Sequence, residues 1–199
     1  MPSIGDHVVQ LVVSVFLIVG VYQFYFWCQT NPLSLRPRRL LLAIDHAIPY
    51  RPNWVWIYSF LYYPVILYIT LTTDSSRQFL YVAISYVALL LAQMALFVTF
   101  PVVTPEEWRG RVSATGGRSE RFLALVQRFD APSNSFPSMH TSVAVLTAFH
   151  LQPSLGPAIF AFPVLIALSC LFTKQHYIVD LPAGALLGWV CFGFFRLIF

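Results

Sequence analysis

Two short stretches of this chain hold side chains that can combine acid–base and nucleophilic chemistry. One is Phe136-Pro137-Ser138-Met139-His140-Thr141-Ser142; the other is Thr173-Lys174-Gln175-His176-Tyr177-Ile178-Val179-Asp180. His176 and Asp180 are four residues apart, so in a helix starting near His176 they would point the same way. A carboxylate there accepts the proton of one imidazole nitrogen, fixes the tautomer, and leaves the other nitrogen as a nucleophile or base. The first stretch reads as a helix N-terminus, with Asn134 or Ser135 as the cap and Pro137 in the first turn. Unpaired amides at such an end attract anions, Ser138 adds a hydroxyl, and His140 adds a proton donor. A helix end, an imidazole pair and neighbouring cations point to a phosphoryl group. Across an extended link, Lys174 would lie on the same side as His176; Arg109 is the second candidate cation.

The elements that must position these residues are apolar helices. The chain has 199 residues, 58% of them hydrophobic and 10% charged, where a soluble domain is about 25% charged. That leaves too few charges to cover a water-exposed surface. Stretches near the ~20 residues that a membrane span needs lie at 8–28, 54–72, 79–103, 137–151, 157–172 and 178–198. The expected fold is all-α: a polytopic six-helix transmembrane bundle in one domain, 1–199, with its active site at one membrane interface. The first stretch is too long for a signal-peptide core and has no basic leader or cleavage site, so it is expected to be a span. A polar, interfacial segment at 29–53 has a centre, 40–48, that suits a short surface helix. An arginine-rich loop at 104–136 turns at Gly116 and Gly117.

Six spans put both termini on one side. The other side then receives both long segments, the link around Lys174, and ten of the twelve basic residues, all but Arg77 and Arg196. The positive-inside rule puts that side in the cytoplasm. The two chemical stretches and the arginine-rich loop share this face. No basic run with interleaved aromatics suggests a nucleic acid; the expected partner is the bilayer.

Other polar residues receive structural readings. Cys28, Cys170 and Cys191 lack metal-ligand spacing and read as buried free thiols. His7, His46 and His150 read as structural; His150 lies about 15 Å along the helix from His140. Gly184 and Gly188, four apart, suit close helix packing. A His-Asp-His zinc site has no compact motif behind it, so neither metal nor cofactor is expected.

At these stretches the chain resembles the type-2 phosphatidic-acid phosphatase superfamily of membrane lipid phosphatases, lipid phosphotransferases, soluble acid phosphatases and vanadium haloperoxidases. Pro137, Ser138 and His140 match its Pro-Ser-x-His motif, and His176 with Asp180 match its His-x-x-x-Asp motif. The resemblance implies metal-independent chemistry. His176 would attack phosphorus to form a phosphohistidine, and Asp180 would orient it. His140 would protonate the leaving alcohol and then activate water, while Ser138 and nearby amides hold phosphate oxygens. The family's Lys-x-x-x-x-x-x-Arg-Pro motif is absent: Arg51-Pro52 has Ile44 where the lysine would stand. Cys170 replaces an arginine after Ser169. Lys174 and Arg109 are the expected substitutes for these cations. The implied function is a lipid phosphate phosphatase acting on a phosphate monoester or diphosphate. The alternative is a phosphotransferase moving a phospho-head-group onto a lipid alcohol, as in sphingomyelin and inositol-phosphorylceramide synthases. The resemblance implies an active site on the non-cytoplasmic face, against the basic-residue count. We adopt that face because several of the arginines are read as substrate ligands.

Overall fold

A computed structural model describes residues 3–109 and 116–199. Arg111, one of the loop arginines, falls outside them. The order is α1 (Ile4–Gln29), α2 (Ala43–Ala47), α3 (Val55–Phe60), α4 (Tyr62–Thr72), α5 (Ser76–Thr99), α6 (Glu106–Arg109), α7 (Arg118–Phe129), α8 (Met139–Leu155), α9 (Ala161–Phe172) and α10 (Asp180–Ile198). Short 3₁₀ turns lead into α3 and α9. Among the described residues there is no strand, only an isolated bridge between Arg38 and Val102. The fold is all-α.

Among the described residues, four helical stretches are long and apolar enough to cross a membrane: Ile4–Gln29, Pro52–Thr72, Ser76–Thr99 and Asp180–Ile198. The other two expected spans also form helices, but α8 has 17 residues and the Pro157–Phe172 stretch is likewise short of spanning length. The second span breaks at Leu61 because Pro64 has no N–H for the Phe60 carbonyl. Outward faces carry exposed Val12, Phe16, Leu80, Leu91, Leu186 and Trp189, surface suited to lipid rather than water.

The centre of the bundle is α8, which packs against α10, α9, α4 and α5. Met139, Val143, Ala144 and Leu146 from α8 join Tyr58, Tyr62, Leu89, Phe97, Ile166 and Leu181 in one buried cluster. Small residues let α10 approach closely. A Cβ added at Gly184 would stand 2.4 Å from the Ser138 carbonyl oxygen, and one at Gly188 would stand 2.3 Å from that of Ser142. Gln93 on α5 is fully buried and serves the same seam. Its Nε2 donates to the Pro137 carbonyl at 2.5 Å, and its Oε1 accepts from the Ser142 hydroxyl at 3.1 Å.

Two local expectations need correction. Segment 104–136 contains an amphipathic helix, α7, whose Leu123 is fully buried. Its Phe122 stacks on Trp56 with ring centroids 4.9 Å apart. The arginines at 118, 121 and 128 disguised the apolar repeat at 122, 123, 126 and 129. The cap of α8 is Ser138, whose hydroxyl accepts the Thr141 N–H at 3.3 Å; Asn134, Ser135 and Pro137 all precede it.

The segment before α2 is tied to the chemistry-bearing link by Asp45, which is buried. Its Oδ2 accepts the Leu42 N–H and its Oδ1 the Ile178 N–H, both at 2.8 Å. Two charge-assisted bonds in a buried setting contribute on the order of 3 kcal/mol together. Asp45→Ala should therefore lower the melting temperature in detergent markedly. Asp45→Asn, which keeps one acceptor oxygen, should fall between. Equal melting of all three forms would show that this tie contributes nothing.

Candidate active site

Residues 173–179 form turns between α9 and α10, and this link is not extended. Lys174 has φ 58°, and the Asp180 N–H bonds the Tyr177 carbonyl at 3.1 Å. His176 and Asp180 meet through this turn rather than through a helical repeat. Asp180 Oδ2 accepts the Tyr177 N–H at 2.9 Å and lies 3.2 Å from His176 Nδ1. The same Nδ1 lies 2.8 Å from the Ser135 carbonyl oxygen. Both neighbours only accept, so Nδ1 carries the proton and Nε2 keeps its lone pair. His176 is 6% exposed and Asp180 is fully buried.

His140, in the first turn of α8, faces this imidazole, with ring centroids 6.1 Å apart. Its ring rests against Tyr58 at 4.4 Å and Tyr62 at 5.0 Å. The two chemical stretches are also joined directly, since the Ser138 N–H donates to the Asp180 carbonyl at 3.0 Å. Ser138 is fully buried, and its hydroxyl is engaged by Thr141.

A tight cleft of about 20 Å³ opens beside the two histidines; Arg109, Asp130, Thr104, Ser133, Ser135 and Gln175 also line it. The hydroxyls of Thr104, Ser133 and Ser135 and the Gln175 amide nitrogen are buried without a hydrogen-bond partner among the described residues. Buried donors of this kind are normally satisfied, and four around one cleft make a ready acceptor site for anionic oxygens. Sequence reasoning missed this role. The Ser133-Asn134-Ser135 run before the first motif, and Gln175 beside His176, were the available signals.

Arg109 reaches the cleft while its guanidinium donates to the carbonyls of Gln127, Asp130 and Ala131 at the end of α7. Burial pulls its pKa down, partly offset by the Asp130 carboxylate. Burial pushes the Asp130 carboxyl up, against hydrogen bonds from Tyr25 and Gln29 and the charge of Arg109. Lys174 does not line the cleft. Its left-handed backbone turns the ammonium onto the Asp45 carbonyl at 2.8 Å, with the Trp108 ring centroid 5.0 Å away.

A family model described as the PAP2 superfamily matches residues 36–194. The chain belongs to the PAP2 superfamily. The match covers α2 to most of α10 and both motif stretches of this PAP2 protein. Its apolar helices and its family mark it as a multi-pass membrane protein. An uncharacterized protein of Methanocaldococcus jannaschii is 35% identical over 68 residues, which is 33% of this chain and 28% of that protein. The chain thus matches well under a third of that relative's length. No solved structure matches this PAP2 chain.

Proposed function

We propose that this protein is a metal-independent lipid phosphate phosphatase acting through a phosphohistidine, built as one six-span domain. The observation that carries the reading is His176, whose Nδ1 is turned to two acceptors so that Nε2 is left as a nucleophile facing a cleft lined by unpaired donors. In this mechanism Nε2 attacks phosphorus, and the negative oxygens are held by Arg109, Thr104, Ser133, Ser135 and Gln175. His140 gives a proton to the departing alcohol, then takes one from water as water attacks the phosphohistidine. Asp180 stabilises the imidazolium formed in between. Ser138 fixes the start of α8, and its engaged hydroxyl supports a positioning role more than direct phosphate contact.

A lipid substrate is supported by a second, apolar cavity of about 120 Å³ inside the bundle, lined by Tyr22, Tyr62, Ile66, Leu90 and Val143. Met139 lines both this cavity and the polar cleft, so an apolar chain and its phosphate can be held side by side. Transfer to a lipid alcohol is the second reading, favoured by the absence of the family's usual lysine and arginine and by the cleft's confinement. We assign the site to the non-cytoplasmic face. Arg38 lies over the Phe100 ring at 4.1 Å, and Arg109 and Lys174 are engaged by the fold. These cations therefore weigh less as orientation signals. Cysteine accessibility at loop positions tests the assignment.

The deciding experiment presents purified protein with phosphatidate, phosphatidylglycerophosphate and an isoprenyl diphosphate, with and without an alcohol acceptor. Phosphate release that survives EDTA and is inhibited by vanadate is the expected result. A new phosphoester on the acceptor, formed without phosphate release, establishes transfer, and no turnover on any member removes the reading. The cradle has its own test. Gln175→Glu changes little in shape but places a carboxylate among the anion-binding donors, so it should raise the inhibition constant for inorganic phosphate by about tenfold or more, about 1.4 kcal/mol. Arg77→Met, far from the cleft, is the control. Unchanged phosphate inhibition in Gln175→Glu would exclude Gln175 from the cradle.

A further inference from the structure

Cys170 is fully buried on α9, and it stands in the position where the family resemblance places a phosphate-binding arginine. The fold brings it to the two histidines. One ligand atom each from His140, Cys170 and His176 lie within 4.8 Å of one another. In a tetrahedral site with Zn–S near 2.3 Å and Zn–N near 2.0–2.1 Å, neighbouring ligand atoms are roughly 3.5 Å apart. Side-chain rotations of about 1 Å therefore close the set. The surroundings suit a metal in a second way. His176 turns Nδ1 to the Asp180 carboxylate and the Ser135 carbonyl, the arrangement that orients a metal-binding imidazole and strengthens its free nitrogen. Three ligands leave a fourth position, toward the cleft that His140 and His176 line.

We propose that His140, Cys170 and His176 form a binding site for a soft divalent cation, Zn²⁺ in the first instance, and that its occupancy switches off the phosphoester site. A thiolate with two imidazoles selects Zn²⁺ or Cd²⁺ over Mg²⁺ or Ca²⁺. Binding displaces the thiol proton, so occupancy grows as pH rises. The metal takes the Nε2 lone pair that would attack phosphorus, and it occupies the imidazole that would protonate the leaving group. Both catalytic groups are blocked together, and a chelator restores them. The Cys28, Cys170 and Cys191 thiols are all free, but Cys170 alone belongs to this cluster.

The test has a spectroscopic arm and a kinetic arm. Chelator-stripped wild-type protein in detergent is titrated with Co²⁺, and with Zn²⁺ by calorimetry. A thiolate-to-cobalt absorption band and one equivalent of Zn²⁺ are expected. The Cys28→Ser/Cys191→Ser double variant should keep the band. Cys170→Ser should lose it and bind Zn²⁺ at least tenfold more weakly. In the kinetic arm, Zn²⁺ should suppress wild-type turnover reversibly, and the ratio of rates with and without Zn²⁺ should recover in Cys170→Ser. Absence of a thiolate band in wild type overturns the site without reliance on any variant. Zn²⁺ affinity unchanged in Cys170→Ser does the same. If Zn²⁺ restores turnover lost to a chelator, the metal is a catalyst and the switch is overturned. Absence of phosphoester turnover altogether would sink the phosphatase reading and with it the switch, while the spectroscopic arm would still decide the metal site.

Discussion

His176→Ala is expected to reduce phosphate release by at least about 10³-fold, about 4 kcal/mol of transition-state stabilisation, while leaving the helical content and melting temperature close to wild type. Among the described residues, His176 is the imidazole of the cleft whose Nδ1 is turned to two acceptors, Ser135 O and Asp180 Oδ2. Covalent catalysis divides one hard displacement into two easier ones, so losing the nucleophile removes both halves. Asp180→Asn should cost less than His176→Ala, because the Ser135 carbonyl continues to hold the Nδ1 proton. The measurement is initial-rate phosphate release in detergent, paired with circular dichroism and size-exclusion chromatography. A variant that retains more than about a hundredth of wild-type turnover, a loss under about 3 kcal/mol, removes His176 as the nucleophile.

His140→Ala is the second large effect, and its signature lies in its dependence on substrate. Proton donation by a positioned side chain contributes about 10²–10⁴-fold. That range should be lost on lipid alkyl phosphates, whose leaving alkoxides are poor. An aryl phosphate departs as a stable phenolate and needs little protonation, so its loss should be at least about tenfold smaller. His140 rests between Tyr58 and Tyr62 and faces His176, consistent with a group aimed at the reacting centre. Equal losses on both substrates would assign His140 to binding or structure.

Much of this arrangement was legible because apolar runs report spans whatever their neighbours do. Helices stand at all six expected positions, although α8 and α9 are shorter than a full span. The His176–Asp180 contact was also legible, though for a different reason, because four-residue spacing closes a capped turn as readily as a helical turn. Side-chain direction in irregular backbone was not. Lys174 was expected beside His176 by extended alternation, and its positive φ turns it to Asp45 and Trp108 instead. Long-range fastenings were equally silent: nothing in the sequence pairs Asp45 with Ile178, or Gln93 with Pro137. The cradle hydroxyls escaped notice because serine and threonine beside a motif look like ordinary turn residues until burial strips them of partners.

The Gly184 and Gly188 contacts carry a dynamic consequence. With those glycines against the Ser138 and Ser142 carbonyls, and the Ser138 N–H on the Asp180 carbonyl, α8 and α10 are locked backbone to backbone, with His140 in the first turn of α8 and His176 on the link that enters α10. In the proposed lipid phosphatase, the breathing motions that admit a bulky lipid and release its product, on the microsecond-to-millisecond scale common for such steps, would then be hinged elsewhere. Helix α1 is the least buried of the four long spans, and it is held near its ends by Gln10 on Thr73 and by Tyr25 and Gln29 on Asp130. Opening at that flank would leave the spacing between the proposed nucleophile and acid unchanged.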